Sequence, residues 1–268
     1  MASARRSARS EGFSPAAIMA LAAVAAAFFL LPLLGLALRA PWAEAWDRIR
    51  QPEVLDALRL SAVVSLSALA MALAFGAPLA WVLANVSFPG RRVLRGLTLL
   101  PMVLPPVVAG VGLLIALGRR GILGGVLSQL GVSLPFTTPA AAVAAAFVGT
   151  PFLVVTLEAG FRSVDKGLED AASTLGASRW MILRTVTLPA VRPSLVAGAT
   201  LCWARSLGEF GATIIFAGNL RGVTQTGPLA VYEELQTGDP GGAILLSLVL
   251  LLISLTVLVA LRGRVSVR

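Results

Sequence analysis

The chain has 268 residues, 57% of them hydrophobic and only 13% charged, with a mean hydropathy of +0.87. A soluble domain is about a quarter charged, so these side chains cannot cover a water-facing surface, and a bilayer is the solvent that suits them. The net charge of +9 does not point to nucleic acid, because the arginines lie in short patches between long apolar runs, as the positive-inside rule would place them. The sequence has no histidine, and its single cysteine, Cys202, lies in an apolar run. A His/Cys metal site, a Ser-His-Asp triad and an intrachain disulfide are thereby excluded, and Cys202 reads as a small core residue.

About 20 mostly apolar residues cross the hydrocarbon core as a helix. Six stretches meet that requirement, at residues 15–38, 60–86, 97–117, 139–161, 194–217 and 242–261. The expected fold is therefore an all-α integral membrane protein of about six transmembrane helices. One membrane domain covers 15–261, with tails at 1–14 and 262–268. Arg5, Arg6 and Arg9 ahead of the first run also suit a signal peptide. The run exceeds the roughly 7–15 apolar residues of a leader, so it reads as a retained span.

An even number of spans puts both termini on one side. That side carries Arg5, Arg6, Arg9, Arg91, Arg92, Arg95, Arg162, Lys166, Arg179, Arg184, Arg192, Arg262, Arg264 and Arg268. The other carries Arg39, Arg48, Arg50, Arg59, Arg119, Arg120 and Arg221, about half as many, which orients both termini to the cytoplasm. Within the spans, Pro32, Pro78, Pro101, Pro105, Pro106 and Pro151 each remove a backbone donor and kink or break a helix. The cluster from Leu100 to Pro106 is the densest, which sets it against other helices or a wet pathway.

The longest cytoplasmic segment, 162–193, is patterned. Val164, Leu168, Ala171, Ala172 and Leu175 recur at helical spacing as an apolar stripe. Asp165 can cap that helix, Gly176 permits a reversal, and Ser178 can cap a second helix over 179–187 that Pro189 brings to an end. Two short amphipathic helices joined at a glycine suit docking into a partner's groove or lying on the lipid interface, and amphipathicity alone favours neither.

The residues themselves carry a resemblance. Asp170-Ala171-Ala172-Ser173-Thr174-Leu175-Gly176, nine further residues and then Val186-Thr187-Leu188-Pro189 resemble the EAA loop of ABC-importer permeases. That pattern is Glu-Ala-Ala, three residues, Gly, nine residues, Ile, one residue, Leu-Pro. Asp170 and Val186 depart from it, each keeping charge or shape. The resemblance implies that Asp170, Ala171, Ala172 and Gly176, flanked by Glu169, Ala177, Leu188 and Pro189, form the contact with a separate ATP-hydrolysing subunit. A P-loop needs Gly-Lys-Ser/Thr. Lys166 is the only lysine and stands between Asp165 and Gly167, so the chain itself binds no ATP in that way, and no cofactor is expected.

The similarity extends over most of 55–245. Leu104-Pro105-Pro106-Val107-Val108-Ala109-Gly110, Gly118-Arg119-Arg120-Gly121 and Leu134-Pro135-Phe136-Thr137 are similar to molybdate permease subunits. So are Ser206-Leu207-Gly208-Glu209-Phe210-Gly211-Ala212-Thr213, Phe216-Ala217-Gly218-Asn219 and 224–232. Sulfate permeases share the Glu-Phe-Gly element, so sulfate or thiosulfate stands as the second cargo beside molybdate and tungstate. The pathway or gate candidates are Arg205, Glu209, Phe210, Gly211 and Thr213. Arg205 either compensates the cargo's charge or pairs with Glu209, four residues on and on the same helix face, and the pair is the favoured reading. Gly208, Gly211 and Gly218 read as close-packing positions, and Glu158 as an interfacial carboxylate.

The resemblance further implies a prokaryotic cytoplasmic (inner) membrane location. It implies a homodimer, two ATPase subunits, and an extracytoplasmic oxyanion-binding protein on the outer loops around 218–242. There Arg221, Glu233, Glu234 and Asp239 offer charge. A proton-coupled secondary carrier is the competing class. It would want ionisable relays at midplane, which this chain supplies only at Arg205 and Glu209.

Overall fold

The computed structural model describes residues 15–265; the expected tail at 1–14 and the last three residues of the one expected at 262–268 lie outside the described residues, and the final helix continues through 262–265. Among the described residues the chain is helical throughout, without a strand. In order come α1 (Pro15–Arg39), α2 (Ala45–Ile49), α3 (Pro52–Met71), α4 (Ala77–Asn85), α5 (Arg91–Leu99), α6 (Pro106–Leu117) and α7 (Gly124–Gln129). There follow α8 (Thr138–Arg162), α9 (Lys166–Thr174), α10 (Arg179–Ile182), α11 (Leu188–Leu207), α12 (Gly211–Phe216), α13 (Gly227–Thr237) and α14 (Pro240–Val265).

The centre of the bundle is α8. Thr137 caps it by accepting from the Ala140 N–H at 3.3 Å, and Pro139 sits in its first turn, where a missing N–H costs nothing. Ala140, Ala141, Ala144 and Ala145 are fully buried, and side chains this small let neighbouring helices approach closely. α3 and α4, joined by a π turn at Ala72–Gly76, run beside α8 in the same direction, with Gly76 against Thr150. α11 runs back along it, with Gly160 facing Ser194, Gly198 facing Leu153, and the Ser206 hydroxyl donating to the Ala145 carbonyl at 3.2 Å. By contrast α1 leaves most of its side chains exposed, packing through Leu36 and the following Ala40 onto Leu245 and Leu248 of α14.

Among the described residues, four helical stretches are long and apolar enough to cross a membrane: Ala16–Arg39, Pro52–Asn85, Thr138–Arg162 and Pro240–Ala260. The other two expected spans are not single helices. Arg91–Met102 and Pro106–Leu117 meet at 117° at the proline cluster, the geometry of a broken span or a re-entrant loop. There Pro105 and Pro106 withhold two backbone donors in succession. The stretch 194–217 is instead α11, which begins earlier at Leu188 and stops at Leu207, and then α12 after a break at Gly208–Phe210. Proline does not always interrupt: α1 and α8 pass through Pro32 and Pro151 unbroken.

Pro189 also fails to end the helix that the sequence suggests it would. A π turn at Leu183–Thr187 carries α10 straight into α11, with Pro189 in the first turn of α11. The wider turn makes room for the pyrrolidine ring, which would otherwise meet the carbonyl of Thr185. The 162–193 loop thus continues directly into α11 rather than being separated from it.

Candidate functional site

At one end of α8 the chain forms a small rigid knob. The Asp165 carboxylate accepts from the Gly167 N–H at 2.8 Å and starts α9. The Ser178 hydroxyl accepts from the Met181 N–H at 3.3 Å and starts α10. Between them Gly176 adopts φ +81°, a conformation that costs an L side chain dearly. Nothing lies within 4 Å of where its Cβ would stand, so the position is also open to a partner. Glu169 ties the knob to the membrane helix by accepting from the Thr187 hydroxyl at 2.5 Å.

The expected stripe divides in two. Val164 packs into the core beside Leu157 and Phe161. Leu168 and Leu175 project away from the bundle, Leu175 with 88% of its surface exposed. Asp170, Ala171, Leu188 and Pro189 are exposed, while Glu169, Ala172 and Ala177 are half-buried. Trp180, 64% exposed, and Met181 add to the apolar surface. Neither belongs to the stripe or the motif that marks the loop in the sequence. Two large apolar residues immediately after a helix cap on a water-side loop are nonetheless a legible signal of a partner surface.

Toward the far end of α8 lie the pathway candidates. Arg205 Nη1 is 2.7 Å from Glu209 Oε2, the favoured pairing. Glu209, only 2% exposed, also uses its other oxygen: Oε1 accepts from the Ala212 N–H at 2.8 Å and so starts α12 after the break. Phe210 stacks at a tilt on Tyr232, 5.1 Å between centroids. Gly211 lies hard against α6, where a Cβ would come within 2.5 Å of Pro106 Cβ. Thr213 is buried beside them with no hydrogen-bond partner for its hydroxyl in the chain. Of the expected packing glycines, Gly208 meets only its own helix, so the break is what it serves; Gly218 turns at φ +76° against the Phe136 ring.

The outer charges are mostly committed within the chain. Glu233 receives Arg221 Nε at 2.9 Å, Asn219 at 3.2 Å and the Gln225 amide. Asp239 accepts from Arg48 and, at 3.0 Å, from the Gly242 N–H. The Arg48 guanidinium first, and that N–H second, hold the Asp239 carboxyl below the usual carboxylate range, while Asp239 in turn raises Arg48. Among the described residues no three His, Cys, Asp or Glu side chains gather as a metal would require.

Glu158 is not interfacial. It is 6% exposed and bonded to Arg95 of α5 and, at 2.7 Å, to Arg162 of its own helix. Helical spacing points to Arg162 as one partner; the other, Arg95, lies in an arginine patch 63 residues back that no local spacing could have named.

A bundle of membrane-length helices that offers a capped apolar knob on one side and a charged, glycine-packed helix break near the other is, as a class, the membrane subunit of a transporter. Residues 76–264 match the family described as binding-protein-dependent transport system inner membrane component, and the chain belongs to that family. It is 41% identical over 240 residues to the molybdenum transport system permease protein ModB of Mycobacterium tuberculosis, covering 90% of each chain. It is 44% identical over 207 residues to ModB of Escherichia coli K12, covering 75% of this chain and 90% of that one. The sulfate transport system permease protein CysT of Salmonella typhimurium is 37% identical over 232 residues, with 85% and 84% covered. In fold the chain resembles a bacterial ABC transporter involved in import of the acidic polysaccharide alginate, with a TM-score of 0.72, 17% identity and 92% and 93% covered. Permease membership sets aside the secondary-carrier alternative.

Proposed function

We propose that this chain is the membrane-crossing subunit of an ATP-driven importer of molybdate, with tungstate as an equivalent cargo. The observation that carries the cargo is the identity of 41–44% to molybdenum permeases along nearly their whole length, against 37% to a sulfate permease. The chain acts as a permease, and hydrolysis belongs to a partner ATPase. Two copies of the chain form the pore, each docking one ATPase, and a binding protein outside delivers the oxyanion. A solved alginate ABC transporter in complex with its ligand-bound periplasmic protein supports such an arrangement.

The coupling surface is Asp170, Ala171, Ala172, Gly176 and Ala177 with the exposed Leu175, Trp180 and Met181. Its support is physical: capped helices hold it rigid, its apolar side chains have no partner in this chain, and the π turn continues it into α11. Both termini face the cytoplasm, a reading supported by Arg95, Arg162 and the basic knob gathering at one end of α8. Arg205 and Glu209 face the outer half of the path. Because they pair, the charge a dianion meets there is close to neutral, which lets it pass without being held.

The test is uptake into proteoliposomes holding this chain, its ATPase and its binding protein. ATP-dependent molybdate uptake blocked by tungstate and not by sulfate supports the reading. Competition by sulfate alone keeps the machine and changes its cargo to the one its 37% identical relative is named for.

A further inference from the structure

Glu158 lies where four elements converge. Leu83 and Ala84, in the last turn of α4, turn their carbonyls toward α5, where Arg91 takes them at 2.9 and 3.1 Å. Arg95, one turn on, reaches the Leu83 carbonyl at 3.4 Å and forks onto Glu158. Arg162, at the last turn of α8, comes to 2.7 Å from Glu158 Oε1, the oxygen that Arg95 Nη2 also takes, and Asp165 opens α9 three residues later. One buried carboxylate thus joins the ends of α4 and α5 to the root of the docking knob.

What lies beyond α5 gives that junction a purpose. The α5 segment turns through 117° into α6, and α6 packs tightly on α12, Pro106 against Gly211 and Gly110 against Ala212. α12 is the helix that Glu209 caps beside Arg205. The knob therefore has two routes toward the outer charged break: along α11, to which it is welded, and through Glu158 into the α5–α6 arm.

We propose that Glu158 is a positioning residue for transport, the clasp through which movement of the docking knob is delivered to the α5–α6 arm and so to α12. This rests on the reading of 162–193 as the coupling loop. A buried carboxylate loses its hold on two partly exposed arginines when neutralised, because the charge that draws both guanidinium groups to it is gone. An amide of the same shape preserves packing while removing the charge. Glu158→Gln should therefore leave the fold and the ATPase contact intact and let α5 slip relative to α8.

The readout is ATP hydrolysed per molybdate transported, in proteoliposomes of the full complex, for wild type, Glu158→Gln, Arg95→Gln, the double variant and Gly176→Trp. The ratio should rise about five- to tenfold in Glu158→Gln, with ATPase binding unchanged. Arg95→Gln should reproduce it, and the double variant should add nothing, since the two residues act as one link. A ratio unchanged in both single variants overturns the proposal, as do additive effects. If Glu158→Gln fails to assemble, Arg95→Gln on a chain with Glu158 intact decides by the same ratio. Uptake that survives Gly176→Trp instead sinks the coupling-loop reading, whereas loss there with normal ratios at 158 and 95 removes the clasp alone.

Discussion

The two ends of this molecule treat exposed side chains in opposite ways. The end opposite the knob puts out charge, and part of that charge is answered within the chain: Arg221 by Glu233, and Arg48 by Asp239 and Glu44. The 162–193 knob puts out Leu168, Leu175, Trp180 and Met181, and among the described residues nothing covers them. Apolar area left in water costs about 25 cal/mol per Å², and such area concentrated on a rigid, capped element marks a permanent contact.

The contrast can be broken most forcefully at the knob. Leu175→Asp should weaken binding of the ATPase about thirtyfold, the effect of losing a central apolar anchor, while Glu233→Gln should leave that affinity unchanged. Titration of labelled ATPase against the detergent-solubilised chain measures both. Equal losses in the two variants would erase the distinction between the ends.

A smaller effect is expected at the outer break. Glu209→Ala removes both the partner of Arg205 and the cap of α12, and should cost about 2 kcal/mol, moderated because Arg205 is partly exposed. Glu209→Gln keeps an acceptor for the Ala212 N–H and should cost about half as much. Thermal unfolding in detergent orders the three proteins. Smaller again, Glu169→Ala frees the Thr187 hydroxyl and should cost about 1 kcal/mol, loosening the knob and slowing uptake without abolishing ATPase binding.

The least effect belongs to Asp239, and its direction with pH follows from its lowered pKa. A carboxylate whose folded pKa lies below its unfolded one contributes stability above the unfolded value, about 3.9. That contribution fades as pH falls through the lowered folded value. Amide protection in α2 and at the α13–α14 turn, taken as exchange relative to the intrinsic rate at each pH, should therefore be constant above about pH 5 and fall only in stronger acid. Asp239→Asn should remove that acid dependence.

Much of this was legible in the chain of residues. Long apolar runs announced the membrane, and Asp165, Gly176 and Ser178 announced the knob, because caps and reversals are local chemistry. The Arg205–Glu209 pair was expected from the four-residue spacing, and it forms even though α11 stops at Leu207 and Glu209 lies in the break beyond it. What escaped was what depends on distant partners or on backbone detail. Pro189 does not end its helix because a π turn, invisible in composition, absorbs it. The spans at 97–117 and 194–217 read as continuous because apolarity does not record direction, and in space the first turns by 117°. Glu158 looked interfacial because its burial depends on Arg95, on another helix.

The central claim, that ATP hydrolysis on a partner drives oxyanion transport through the exposed knob, meets its most direct test at Gly176. Its φ of +81° and the empty space beside it mean that tryptophan there strains the reversal and stands in the docking surface without touching the bundle. Molybdate uptake by the reconstituted complex should require ATP and fall to background in Gly176→Trp, while the variant still folds in detergent. Uptake that proceeds without ATP, or at the wild-type rate in Gly176→Trp, would contradict the account.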